Sequence, residues 1–424
     1  MKRTELANFL TYLCLFLLPW QTVWIYNSLT LNSSTGLGTF GGEGWEYGKM
    51  THYAVQALIV VAVLLRWEAK KNETTKKIMA TLWLFFAATV FVSFLSINFY
   101  LSGAFLFHLF SALLLFWLLL DERIETRKII WFFSLGLIVP SLIGWWQVFV
   151  GVSPASTLFG LAEHLAATPG TSVVEVIGER LMRAYGTFAH PNIFGGYLAV
   201  VVMMILLRFS KRPALVAILV LLSSTLVVTF SRSAWLALIV GIIFFFVSSV
   251  ISRKKIPQKF LLGLIIVILA AAAPLALFSD AVFTRVAAAD RLEEQSLTER
   301  QSEYHMIGEV IKTNPFVGVG PGAYTLALEK LYPGQPVWSY QPMHNSYLLF
   351  FAETGLLGLV FLIYFLWVLF SGQSLQSLPS LSPLVSLAVL GVFDHYLWSQ
   401  WAGLALVAVV LVVISKPTNQ QINS

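Results

Sequence analysis

Apolar runs of roughly twenty residues recur along the chain, separated by short polar segments and two long ones. At 1.5 Å of rise per residue, each run is long enough to cross a hydrocarbon core of about 30 Å as a helix. About twelve spans are expected on this pattern. The first nine lie near Leu6–Tyr26, Tyr53–Trp67, Ile78–Asn98, Leu101–Leu120, Ile129–Val150, Asn192–Leu207, Pro213–Phe230, Ala234–Ile251 and Phe260–Phe278. Three more follow near Ser346–Phe370, Pro383–Phe393 and Leu397–Ile414, the eleventh having the weakest pattern. The expected fold class is all-α: a polytopic membrane protein with a large loop between helices 9 and 10.

The polar segments supply the orientation. Eighteen of the 27 Lys and Arg residues fall in alternate short loops and the two tails, from Lys2 and Arg3 through Arg123, Arg127 and Lys128 to Lys416. Basic residues collect on the cytoplasmic side, so both termini are expected there. The net charge of +6 then reflects topology, and no nucleic-acid partner is expected. The opposite face receives two long loops, Gly151 to Pro191 and Ser279 to His344, and a Gly- and Ser-rich segment, Asn27 to Met50, expected to be a mobile flap. Four regions follow: 1–150 with helices 1–5, 151–278 with an outer loop and helices 6–9, 279–345 as a catalytic loop, and 346–424 with helices 10–12 and a tail.

Composition agrees with a bilayer as the solvent. The chain is 58% hydrophobic and only 11% charged, against about 25% charged in soluble domains. Its one cysteine, Cys14, lies in the first apolar run, which excludes disulfides and cysteine metal sites within the chain. That run begins with basic residues, lacks a small-residue cleavage site and continues beyond Trp20, so it reads as a retained anchor. The basic loops are short and carry no Walker-type motif, which argues against ATP-driven transport within this chain.

Candidate chemistry gathers on the outer side. Arg232, in TFSRSAW, sits where basic residues are depleted. A snorkelling arginine is the bland account, but a planar guanidinium at a membrane surface also suits phosphate. Arg183, in RAYGTFAHPN, precedes a helix expected to start at Pro191 with Asn192 as its N-cap, and helix amides beside an arginine favour anions. His190 reads as structural. Arg300 lies on an amphipathic helix among Glu299, Glu303 and Glu309, where an intrahelical ion pair would account for it; Arg285 and Arg291 are weaker candidates. The glycines of NPFVGVGPGAY, with no Lys-Ser/Thr after them, suit tight turns or close approach rather than a nucleotide. His344, in QPMHNSYLLF, is placed at a helix N-terminus, where the dipole is expected to hold the ring neutral for general-base work. Glu353 is expected to point away from it, and no HxxxH or HExxH spacing suggests a metal.

Four segments in this order, RAYGTFAHPN, TFSRSAWLAL, ERQSEYHMIGEVIKTNPFVGVGPGAY and HNSYLLFFAETGLLGL, resemble the O-antigen ligase and polymerase superfamily of bacterial envelope enzymes, over roughly Arg183 to Phe370. The resemblance implies an inverting, metal- and nucleotide-independent glycosyltransferase of the bacterial cytoplasmic membrane, with an extracytoplasmic active site and no cofactor. Its donor would be a polyprenyl-pyrophosphate-linked glycan, and its acceptor a lipid, glycan or protein hydroxyl. By motif position, Arg183, Arg232 and Arg300 would bind the pyrophosphate, His344 would align or deprotonate the acceptor, and Asn345 would position the ring or the acceptor. Ligase-type transfer is preferred over polymerase or protein O-glycosylation. The rival from another class is a transporter or flippase for lipid-linked sugars, using Arg232 and Asp394 as intramembrane charges; its spans should carry polar residues throughout rather than at their outer ends.

Overall fold

The computed structural model describes residues 3–31, 38–39, 43–66, 73–176, 178–287, 291–371 and 374–416. The chain is mostly helical. After α1 (Arg3–Leu17) come α2 (Ala54–Leu65), α3 (Glu73–Phe94), α4 (Phe99–Leu119), α5 (Thr126–Gly136), α6 (Ile138–Val150) and α7 (Pro191–Leu207). Next are α8 (Pro213–Val228), α9 (Arg232–Ile251), α10 (Gln258–Leu277), α11 (Ser279–Ala287), α12 (Arg291–Thr313) and α13 (Tyr324–Leu331). The last four are α14 (Ser346–Ser371), α15 (Ser382–Phe393), α16 (Tyr396–Ser399) and α17 (Trp401–Ser415).

Among the described residues, seven helical segments are long and apolar enough to cross a membrane, and four shorter apolar helices accompany them. The protein is therefore a polytopic membrane protein. Each of the twelve expected spans overlaps a helix, the first only as far as Leu17 because Val23–Tyr26 belongs to a strand, and α1, α2, α7, α8 and the α16–α17 segment do not reach the length and apolarity of the other seven. The weakly patterned eleventh span is a full candidate, because a 3-10 segment from Leu375 extends α15 to nineteen residues.

The all-α expectation needs one correction. Strand β1 (Val23–Leu31) pairs antiparallel with β2 (Glu43–Tyr53), with register shifts between Ile25 and Asn27 and between Ser28 and Thr30. Alternating β-branched and aromatic residues such as Val23, Trp24 and Ile25 favour this ladder, so much of the expected flap is a hairpin. Its residues 32–37 and 40–42 lie outside the described residues. The 151–191 loop carries a second hairpin, β3 (Val173–Val176) with β4 (Glu179–Met182).

Helix α7 is the hub. Residues 193–206 are all buried, and α5, α8, α9, α10, α15 and α17 pack around it. A helix apolar on every side belongs in such a position. Gly195 and Gly196 let the start of α9 and the Tyr396 ring approach it, since a Cβ at either would meet Ser231 and Ala234, or the Tyr396 hydroxyl. The 314–323 loop tucks against a break in α14. Gly355 there has φ +61°, and the interrupted helix is repaired by Val319 N–H to Ala352 C=O and Gly320 N–H to Glu353 C=O, both 3.0 Å. Gly318, at φ +73°, faces the Glu353 carbonyl with no room for a Cβ. Both uses expected for these glycines occur: Gly318, Gly320 and Gly322 all take positive φ, and Gly318 lies against the α14 backbone.

Candidate active site

The turn between α8 and α9 builds one half of the site. Phe230 adopts a left-handed backbone (φ +48°), which reverses the chain within a few residues, and Ser231 caps α9 by accepting from the Ala234 N–H. The carbonyls left at the turn are taken by arginines. Arg183 donates from Nε to Thr229 C=O (2.9 Å), and Arg285 donates from Nε to Phe230 C=O (3.1 Å). Arg232, the first residue of α9, donates in turn to the Arg285 carbonyl (3.3 Å). Arg183 also reaches Asn192 Oδ1 (2.6 Å), whose amide donates to Asp394 Oδ2 (3.2 Å).

These cations repel one another. Burial and then Arg232 and Arg300 lower the pKa of Arg183 to about 10, against the opposing influence of Tyr185 and Asp394. Burial, followed by Arg183, Arg232 and Arg300, lowers Arg285 further, to about 8. Guanidinium groups forced together at the N-terminus of a long helix favour an anion among them. The three arginines singled out in the sequence thus lie within electrostatic reach of one another, and Arg285, read there as weak, is the fourth.

His344 supplies the other half. Its Nδ1–H donates to Glu303 Oε1 at 2.8 Å, and its backbone N–H donates to Glu303 Oε2 at 3.0 Å. One carboxylate on α12 thereby fixes both the ring and the turn that carries it. Of the carboxylates that flank Arg300 in the sequence, Glu303 thus serves His344. The pKa of the ring moves in the direction opposite to the one expected. Burial lowers the His344 pKa, but the Glu303 hydrogen bond and charge, with Asp394, outweigh it and raise the pKa above its ordinary value. The helix dipole loses because α14 begins at Ser346, so His344 precedes the helix.

Asn345 occupies the capping position instead. Its Oδ1 accepts from the backbone N–H of Tyr347 (3.0 Å) and of Leu348 (3.1 Å). The expected Asn192 cap is likewise elsewhere: His190 caps α7, its Nδ1 accepting from the Asn192 N–H while Nε2 meets Ser172 Oγ. Asn192 is thereby free to link Arg183 to Asp394. Glu353 points away from His344, as expected, and accepts from Trp398 Nε1 and Tyr324 N–H. His395 packs edge-on to His344, with ring centroids 5.6 Å apart, and burial lowers its pKa to about 4.

Sequence reasoning passed over Glu303, Arg285, Asp394 and Asn192 as members of one constellation. A signal existed for Glu303 alone, as an acid in helical register with the apolar Ile307 and Val310 on the buried face of an amphipathic helix. Among the described residues, no group of three or more His, Cys, Asp or Glu is placed to hold a metal. The arrangement can bind an anion at four guanidinium groups and take a proton at His344 Nε2.

Residues 217–363 match the family model described as O-antigen ligase. The match includes Arg232, Arg285, Arg300, Glu303, His344 and Asn345, and leaves Arg183, Asp394 and His395 outside it. No curated protein matches the chain.

Proposed function

We propose that this chain, which carries an O-antigen ligase domain over residues 217–363, transfers a glycan from a polyprenyl-pyrophosphate carrier to an acceptor hydroxyl on the extracytoplasmic face of a bacterial cytoplasmic membrane. The observation that carries the proposal is the pairing of an arginine cluster, Arg183, Arg232, Arg285 and Arg300, with a histidine held by a carboxylate. The arginines bind the pyrophosphate. Glu303 keeps the proton of the neutral His344 ring on Nδ1, leaving the Nε2 lone pair for the acceptor O–H. As that oxygen bonds to the anomeric carbon, the proton passes to Nε2. The bond from carbon to phosphate oxygen breaks on the opposite face, which inverts the centre. Its electron pair stays on the pyrophosphate, where the guanidinium groups stabilise the added charge. A leaving group already anionic needs cations more than a proton, so neither a metal nor a nucleotide is invoked. Asn345 acts through the turn: by capping α14 it holds His344 against Glu303.

Ligase-type transfer is favoured over polymerisation or protein O-glycosylation, which the same residues could serve. A lipid-linked-sugar transporter is disfavoured because the half-buried His344–Glu303 pair would have no task. The test is glycan transfer by the purified chain, given a labelled polyprenyl-pyrophosphate oligosaccharide and lipid, glycan and peptide acceptors, with chelator present and no nucleotide. Transfer by wild type and its loss in His344→Ala, with donor binding intact, is the expected result. Donor binding by both proteins without transfer to any acceptor would overturn the proposal in favour of a transporter.

A further inference from the structure

One member of the arginine cluster, Arg285, is carried by a short helix with a bare apolar face. Helix α11 follows α10 after a single residue, Phe278. The twenty residues of α10 rise about 30 Å, the thickness of a hydrocarbon core. Helix α11 therefore begins where the hydrocarbon ends. Of the seven candidate spans, α10 is also the least enclosed by protein.

The two sides of α11 are unlike. On one, Ala281 is buried, strand β3 packs alongside, and Arg285 donates to the Phe230 carbonyl. On the other, Phe283 and Val286 are 71% and 68% exposed, three residues apart and so on one stripe of the helix. That stripe prolongs an apolar surface at the ends of two spans. Leu275 and Leu277 of α10 are exposed, as are Phe149 and Val150 of α6. Phe278, which joins α10 to α11, lies against this surface with its ring 6.2 Å from that of Phe149.

Position decides what covers the stripe. Exposed to water, its side chains would forfeit the free energy of burial, whereas lipid chains are adjacent at the end of a span. A protein partner would have to cover the exposed ends of α6 and α10 too, and both belong to spans that the bilayer already surrounds. We infer that α11 is an interfacial helix seated on the outer leaflet, with Phe283 and Val286 among the lipid chains, and that this seat holds Arg285 at headgroup depth. The arginine cluster then meets a pyrophosphate where the bilayer presents it, and the prenyl chain need not leave the membrane. The link to the donor rests on the transfer reaction proposed above; the seat of α11 does not.

Two measurements on the full chain in liposomes of phosphatidylethanolamine and phosphatidylglycerol test it. A nitroxide attached through Phe283→Cys or Val286→Cys, in a Cys14→Ala background, reports depth by power-saturation EPR. Ile268→Cys, exposed on α10, and Lys330→Cys, exposed on α13, are the lipid and water references. Both α11 labels should be relaxed more by oxygen than by a water-soluble nickel chelate, as the α10 label is. Preference for the chelate would place the stripe in water, and shielding from both relaxants would place it against protein, such as a second copy. Either result overturns the inference. In the second measurement, Phe283→Ser combined with Val286→Ser should weaken binding of labelled lipid-linked donor about tenfold, with the thermal midpoint in detergent close to wild type. Phe283→Leu combined with Val286→Leu should bind as wild type. Unchanged donor binding in the serine variant would refute the link between seat and site. Labels in lipid, with no glycan transfer by wild type, would refute the reaction and leave the seat of α11 standing.

Discussion

Replacing Glu303 by glutamine separates a catalytic carboxylate–histidine pair from a merely structural one. Both oxygens of Glu303 accept, one from His344 Nδ1–H and one from His344 N–H. An amide has one acceptor and one donor, so in either orientation the substituted side chain sets an NH2 against one of those N–H groups. One hydrogen bond to a charged group is lost, worth about 1.5–3 kcal/mol. If the ring answers by moving its proton to Nε2, the base is lost as well, and general-base catalysis contributes roughly 10²–10⁴ in rate. We expect kcat to fall about 10²- to 10³-fold with donor KM unchanged, since no arginine is touched. The pH profile gives the second reading. Activity requires the neutral ring, so the rate rises with pH through the His344 pKa, which the Glu303 hydrogen bond and charge raise. Without that charge, burial and Arg300 lower it, and the acid limb should move to lower pH. The stability linkage has the matching sign: a raised histidine pKa stabilises the fold below the unfolded value of about 6.5 and loses that contribution as pH rises through the folded value. Wild-type kcat and an unmoved acid limb in Glu303→Gln would refute the role of the pair.

How far the site was legible in the sequence depended on how local each residue's role is. The spans were readable because hydrocarbon demands runs of apolar residues, and the weak eleventh failed to stand out only because Pro379 and serines interrupt its first turns, where a 3-10 segment continues the helix. Arg183, Arg232 and Arg300 were readable because charge is scarce at a membrane surface. The β1–β2 hairpin was hidden because the glycine and serine content of the segment as a whole outweighed the β pattern of Val23–Leu31 and Glu43–Tyr53. Glu303 and His344 are 41 residues apart, and no local pattern says that α12 folds back onto the turn before α14. Arg285 read as a weaker candidate than Arg300, and its value comes from the Phe230 carbonyl 55 residues earlier. His190 took the cap expected of Asn192 because its ring nitrogen reaches the same N–H, and only the fold shows that Asn192 is needed by Arg183 and Asp394.

Arg183→Lys should raise donor KM at least about tenfold, because one ammonium cannot hold Thr229 C=O and Asn192 Oδ1 and still present a planar face to phosphate; unchanged donor KM would return Arg183 to a bracing role. Arg232→Lys should be damaging for the same geometric reason, and wild-type turnover would remove it from the phosphate clamp. Arg285→Ala should weaken donor binding about as much as Arg232→Ala, as measured with labelled lipid-linked donor, and an effect on thermal midpoint alone would mark it as a brace for the α8–α9 turn. Gly318→Ala tests the scaffold beneath the site. An L-residue at φ +73° costs about 1–2 kcal/mol, and the added methyl meets the Glu353 carbonyl, which cannot retreat without disturbing the adjoining Val319–Ala352 and Gly320–Glu353 hydrogen bonds. The total should exceed about 2 kcal/mol and appear as a lowered thermal midpoint in detergent. Gly308→Ala is the matched control, since it lies within α12 with nothing near its would-be Cβ and should be neutral or stabilising by up to about 1 kcal/mol. Equal midpoints for Gly318→Ala and Gly308→Ala would show that the break in α14 tolerates displacement, and that the 314–323 loop does not fix the helix whose first turn follows His344.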